Sequence, residues 1–357
     1  MTHSPTGVQT GAGFRTGSAT DPPADPPTGA ELGRTCALAV ECARDLSRHA
    51  RRYGELFPAR PFDAGFFHSL GLVSAFGSPW AGTAELRAVS RAALWVFAVD
   101  LRIDHIAESR AEVTALVGDC LDVAGGATPL SPITRFLADL RDGLRYGFPD
   151  DPDEAGRRRD GSRDGFRDEP ANGSGDGRQN EPAGGSRDGH RDEPASGSRE
   201  GHRDEPADAA WHDQLARMLT AMAKEWDWRA TGARPGLEEY LDNAAGTGSS
   251  FVNLSHWIST GEPLEPASRA GEEVQRYLRL LNDLATAGRE ARWGDANALT
   301  LGIRPADVSE RMAGIAARAA ELIRPLRATG PRAAYYLERQ LTFNTGFYGM
   351  SDYWGEL

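Results

Sequence analysis

The chain is poor in cysteine and has no long apolar run. Its three cysteines in 357 residues, Cys36, Cys42 and Cys120, form no CxxC pair and are odd in number. That argues against a disulfide framework or a cysteine zinc site and points to a reducing cytoplasm. No stretch of 18 or more apolar residues occurs, so no membrane span is expected. The Thr-, Gly- and Pro-rich start lacks the apolar centre of a secretory signal. Basic charge is also in deficit: 40 Lys and Arg against 52 Asp and Glu leave a net charge of -12, which disfavours a nucleic-acid partner. GxSxG, P-loop, HExxH and Cys-His arrangements are absent. GAGFRTG near the start follows no strand and is no nucleotide loop. No alternating segment of sheet length is found.

What is present reads as helix. Apolar residues recur at helical spacing over 31–56, 66–76, 83–107, 111–123 and 131–148, with Thr83 a candidate N-cap. The pattern then stops. From Asp150 to Asp208 the chain holds 17 acidic and 10 basic residues and almost no apolar ones. It repeats every twelve residues, setting Pro170, Pro182, Pro194 and Pro206 in register. Such a tract has no face to stack and too little apolar surface to offset chain entropy. The helical pattern resumes over 211–230, 236–259 (interrupted at Gly246-Thr247-Gly248), 269–292, 305–324 and 332–348. The predicted architecture is all-α: a disordered tail at 1–29, a helical domain in two parts at 30–149 and 209–357, and a disordered insertion at 150–208. Eight to ten helices in one bundle are expected.

Two constellations carry chemistry. In FAVDLRIDH, Asp100 and Asp104 stand four apart at the end of an apolar run, on one face if the helix continues. The same spacing occurs on solvated helix edges, where Asp104 would pair with Arg102 or Arg110. In LLNDLATAGREARWGD, Asn282, Thr286 and Glu290 stand at i, i+4 and i+8 and drift only ~40° per step around a helix. Amide, hydroxyl and carboxylate oxygens form a hard donor set suited to Mg²⁺ and poorly suited to zinc. The aromatics Phe66, Phe67, Trp95, Phe97, Phe251, Trp257, Phe343 and Phe347 are either core residues or walls able to stabilise a cation without attacking it. His105 is expected to face solvent. The Gly246–Gly248 break offers backbone carbonyls to a cavity, followed by Ser249, Ser250, Asn253 and Ser255.

The pair of motifs resembles those of class I terpene synthases. The first is usually FxxDDxxD and is matched at Phe97, Asp100 and Asp104. The second, NDxx(S/T)xxxE, is matched throughout at Asn282, Asp283, Thr286 and Glu290. WDWRA, PGLEEYL and the broken helix are further landmarks, and the likeness runs from about Glu31 to the end, leaving out the insertion. The resemblance implies a cytoplasmic, Mg²⁺-dependent lyase that ionises a prenyl diphosphate. Three metal ions would be held by Asp100, Asp104, Asn282, Thr286 and Glu290, and Arg289 and Tyr348 would meet the diphosphate. It allows a homodimer. Leu101 stands where the family has a second aspartate. Ala244 replaces the diphosphate-sensing arginine, with Arg229 or Arg234 as substitutes, and the C-terminal Arg-Tyr pair gives way to FNTGFYGMSDYW, with Tyr348 or Tyr353. These departures are similar to bacterial diterpene synthases acting on labdane-type diphosphates. The alternatives are a cyclase for a linear substrate, farnesyl or geranylgeranyl diphosphate, and a non-catalytic prenyl-binding scaffold. A chain-elongating prenyltransferase would need a second aspartate-rich motif, and a protonation-initiated cyclase a DxDD motif.

Overall fold

The computed structural model describes residues 27–149 and 205–354. The expected tail and most of the expected insertion lie outside those residues. Among the described residues there are eleven α-helices and no strand. These are α1 (Gly29–Ala50), α2 (Ala64–Gly77), α3 (Thr83–Leu101), α4 (Arg110–Ala124), α5 (Pro132–Tyr146) and α6 (Glu205–Thr231). The second half continues with α7 (Leu237–Ala244), α8 (Gly248–Thr260), α9 (Leu264–Trp293), α10 (Pro305–Thr329) and α11 (Pro331–Tyr348). No described helix is long and apolar enough to cross a membrane.

Local chemistry sets the helix ends. Thr28 and Glu31 form a capping box at the start of α1, with the Glu31 carboxylate accepting from the Thr28 amide at 2.7 Å. The α-helical ladder of α1 stops at Ala50, and 51–56 tighten into a 3₁₀ helix rather than continuing to Leu56 as α-helix. At α3 the cap is Gly82, not Thr83: the Glu85 carboxylate accepts from the Gly82 amide at 2.7 Å. The interrupted segment is two helices, α7 and α8, which accounts for the eleventh. Gly294 ends α9 at φ +79°, a left-handed conformation that glycine adopts without steric cost.

α3 is buried almost all round, from Leu86 to Leu101, and packs against α1, α2, α5 and α8. An all-round apolar helix belongs at the centre of a bundle. α9, thirty residues and therefore about 45 Å long, packs against α8, α10 and α11. The C-terminal ends of α3 and α9 hold the two motifs.

Candidate active site

Asp100 lies in the last turn of α3. The next residues do not continue that ladder: 102–106 form a π turn, closed by the Ala107 amide donating to the Arg102 carbonyl at 2.8 Å. Asp104 therefore sits on a widened turn, where the sequence pattern predicts plain helix. Single π turns recur at functional sites because they re-aim one side chain. Leu101 and Ile103, 8% and 0% exposed, point into the core and anchor the turn. This is why Leu101 contributes nothing to the polar side.

Asp104 pairs with neither Arg102 nor Arg110 in the interactions observed. Its Oδ1 is 3.7 Å from Nη1 of Arg229 on α6, and the same nitrogen lies 3.0 Å from Asp295 beyond α9. Arg110 pairs with Asp227 instead. Arg229 thus bridges the region of the first motif to that of the second. Arg234 is exposed, and Ala244 is fully buried.

On α9 the second motif splits by face. Asn282, Thr286 and Glu290 form one chain of contacts: Thr286 Oγ1 lies 2.7 Å from the Asn282 carbonyl and 2.8 Å from Glu290 Oε1. Asp283 points the other way and has no exposed surface. Its carboxylate accepts from the Tyr240 hydroxyl at 2.8 and 2.9 Å and from the Ala298 amide at 3.0 Å, with Arg279 at 3.4 Å. Arg279 also pairs with Glu225 of α6 at 3.0 Å. Asp283 is a buried structural group; Asn282, Thr286 and Glu290 share the other face, Asn282 and Glu290 half-buried and Thr286 buried between them.

The electrostatics of the two motifs are joined. Burial pushes the Asp100 carboxyl up to about 7, helped by the negative charges of Glu225, Asp295 and Glu290 and opposed by Arg279. Asp104 is raised for the same reason, burial first and then Asp100 itself. Burial also raises Glu290, against the lowering effects of Arg279, Asn297 and Thr286. Carboxylates gathered this way lack positive charge, and a hard cation would supply it. Among the described residues no three His, Cys, Asp or Glu side chains come together as a metal cage. The donor set still fits Mg²⁺, which takes one or two carboxylates and completes its octahedron with water and phosphate oxygens.

The residues after α11 fold back over this region. Asp352 pairs with Arg289, and the Tyr353 hydroxyl donates to Asn344 at 2.6 Å. Trp354 packs edge-on to Phe97 at 5.0 Å and tilted to Phe66 at 6.1 Å. Phe347 stacks on Tyr353 at 4.7 Å and adjoins Phe343. The Asn282 amide donates to the Tyr348 hydroxyl at 3.3 Å. Phe66, Phe97, Phe343 and Phe347 thus share an aromatic layer near the site, and Phe67 meets Phe66 at 5.7 Å. Trp95, Phe251 and Trp257 are wholly buried core residues, and the Trp95 indole donates to the Ile133 carbonyl of α5. The Gly246 carbonyl is taken by Gln214 at 3.0 Å, and the Ser249 amide donates to Gln275, so the helix break is tied down. Asn253 pairs with Gln340. His105 is exposed, with its ring against Trp293.

Residues 199–320 match terpene synthase family 2, C-terminal metal binding. The fold is similar to that of 2-methylisoborneol synthase from Streptomyces coelicolor A3(2) crystallised with Mg²⁺ and geranyl-S-thiolodiphosphate. The TM-score is 0.63 at 13% identity, covering 90% of this chain and 93% of that one. A cucumene synthase variant gives a TM-score of 0.59 at 13% identity, covering 87% and 95%. This is the class I terpene synthase fold. An alignment over 87 residues, covering 22% of the chain, is 36% identical to a probable terpene synthase 11 of Ricinus communis but spans only 15% of that relative's length. The terpene synthase metal-binding match contains Asn282, Thr286 and Glu290; Asp100 and Asp104 lie outside it. Sequence reasoning missed Glu225, Asp295, Asn297 and Asp352. Asp295 stands in the stretch already singled out, but only the turn at Gly294 brings it back toward Arg229.

Proposed function

We propose that this chain is a class I terpene synthase that ionises a diterpene-sized prenyl diphosphate, of copalyl or geranylgeranyl type, and cyclises or rearranges the cation. The observation that carries the reading is the meeting of two oxygen-bearing motifs. Arg229 of α6 spans from Asp104 of the first motif, at 3.7 Å, to Asp295 five residues past Glu290 of the second, at 3.0 Å.

Asp100 and Asp104 on one side, and Asn282, Thr286 and Glu290 on the other, are the residues that would hold Mg²⁺. Bound there, Mg²⁺ would neutralise charge developing on the diphosphate. The protein groups do the rest. The allylic C–O bond breaks and its electron pair leaves with the diphosphate. Arg229 and Arg289 exchange their aspartate partners for phosphate oxygens, a stronger charge-assisted contact where it is bidentate. Tyr348 donates a hydrogen bond to the same anion. Phe66, Phe97, Phe347 and Trp354 face the cation with π electrons worth about 0.5–2 kcal/mol each and keep water away until a proton is lost or a nucleophile adds.

The geranyl analogue in the Streptomyces coelicolor structure favours a second reading, a shorter linear substrate on the same machinery. Both are tested by incubating the protein and Mg²⁺ separately with geranyl, farnesyl, geranylgeranyl and copalyl diphosphates, then analysing extracts by gas chromatography and mass spectrometry. Product from copalyl or geranylgeranyl diphosphate is expected. Product from geranyl or farnesyl diphosphate alone moves the assignment to the shorter substrate. No product and no released diphosphate from any of the four would leave a prenyl-binding scaffold.

A further inference from the structure

Beyond α9 the chain turns at Gly294, whose amide and that of Asp295 both donate to the Glu290 carbonyl, at 2.9 and 3.1 Å. The turn returns Asn297 beneath the motif, where it has no exposed surface. Its side-chain amide uses both hydrogens, one to the Asp283 carbonyl at 2.9 Å and one to Glu290 Oε2 at 2.8 Å. Its Oδ1 accepts from the Leu299 amide at 2.8 Å. A buried amide with both hydrogens and its oxygen engaged is held in one orientation.

We propose that Asn297 is a positioning residue that fixes the Glu290 carboxylate for the divalent cation, a reading that rests on the proposed function. Cation binding would not disturb every hydrogen bond on Glu290 alike. Thr286 Oγ1 has a single proton, and it has three nearby acceptors, the Asn282 carbonyl, Asn282 Oδ1 and Glu290 Oε1. A cation held by Thr286 and Glu290 would replace the contact between their side chains. The bond from Asn297 to Oε2 lies on the far oxygen and needs no proton to move. It holds the carboxylate plane whether or not the cation is present. The Ala298 amide, bonded to Asp283, docks the same loop on the motif's buried aspartate. Asp283 therefore acts on Glu290 through Asn297, while ligating nothing itself.

Groups that orient a ligating carboxylate typically change metal affinity about 10–100-fold when removed. Calorimetric titration of Mg²⁺ into the full chain with inorganic diphosphate is the direct test, alongside the KM for Mg²⁺ and the thermal midpoint. Asn297→Ala is expected to weaken Mg²⁺ binding about tenfold or more and to raise the Mg²⁺ KM while kcat at saturating Mg²⁺ falls much less. Asn297→Ser, too short to reach Glu290, serves if the alanine protein fails to fold. In a Glu290→Gln background the same substitution is expected to lower the thermal midpoint but to leave the residual Mg²⁺ affinity unmoved. Wild-type Mg²⁺ binding in Asn297→Ala, with binding lost in Glu290→Gln, overturns the positioning role alone. Wild-type binding and turnover in Glu290→Gln overturn the metal assignment itself and the role with it.

Discussion

Asp100 and Asp283 are both pushed up to about 7 by burial, yet their surroundings assign them different work. Asp283 is enclosed by Tyr240, Ala298 and Arg279. Removing one member of such a group leaves the others buried without a partner. Asp283→Ala is therefore expected to cost about 3–5 kcal/mol, read as a lowered midpoint in urea unfolding; a loss below 1 kcal/mol would mean the network relaxes. Asp100 has no such partners, only like charges and the more distant Arg279. Its ordinary value is 3.8. Between 4 and 7 the folded protein holds a proton that the unfolded chain has released, so this group's contribution to stability declines as pH rises and is gone above about 7. His49 and His256, whose pKa values burial lowers, act in the opposite sense below 6.5, so the informative quantity is a difference. Without Mg²⁺, the thermal midpoint of Asp100→Asn minus that of the wild type is expected to grow from pH 4 to pH 7 and then level. Mg²⁺ with diphosphate narrows the gap at pH 8. A gap independent of pH would remove Asp100 from the charged cluster.

At the scale of elements, α1 and α2 cross closely because of one residue. A Cβ on Gly71 would lie 2.4 Å from the Ala39 carbonyl oxygen and 3.1 Å from the Ala43 amide, both rigid backbone. Gly71→Ala is expected to destabilise by about 1–3 kcal/mol through overpacking, measured by denaturant midpoint; an unchanged midpoint would mean the helices slide apart freely. The helices themselves were legible because their apolar positions recur at helical spacing, and Gly246-Thr247-Gly248 announced the break between α7 and α8. The π turn at 102–106 was not, since RIDHI sets Ile103 and Ile106 three apart, as a continuing α-helix would. The motif residues could be named from spacing, but their partners could not. Glu225 and Asp295 reach the site from α6 and from the loop after α9, and Arg229, a substitute by position only, acquires a role only through tertiary packing. Asp283 illustrates the limit: it matches the motif as well as Asn282 does, and only its burial against Tyr240 separates structure from chemistry.

Across the whole molecule, the two halves of the bundle are joined where the acidic repeat leaves and returns. Arg145 in the last turn of α5 pairs with Asp208 in the first turn of α6 at 2.9 Å. An exposed pair of this kind adds little stability, but it measures how near the ends lie. The 55 residues numbered 150–204 therefore connect two points that a short linker can join. Closure entropy scales with the logarithm of length, so a connection of about eight residues costs about 1–2 kcal/mol less than one of 55 when nothing in the longer one packs. The low apolar content of the repeat gives it little to pack with. The site, by contrast, lies at the far ends of α3 and α9 and draws its groups from α3, α6, α9 and the chain after α11. Replacing 152–203 with a Gly-Ser linker is thus expected to raise the unfolding free energy by about 1–2 kcal/mol and to leave kcat/KM with the accepted diphosphate unchanged. A fall in kcat/KM with stability intact would place the repeat within the working site, and a fall in stability would show that it packs on the bundle.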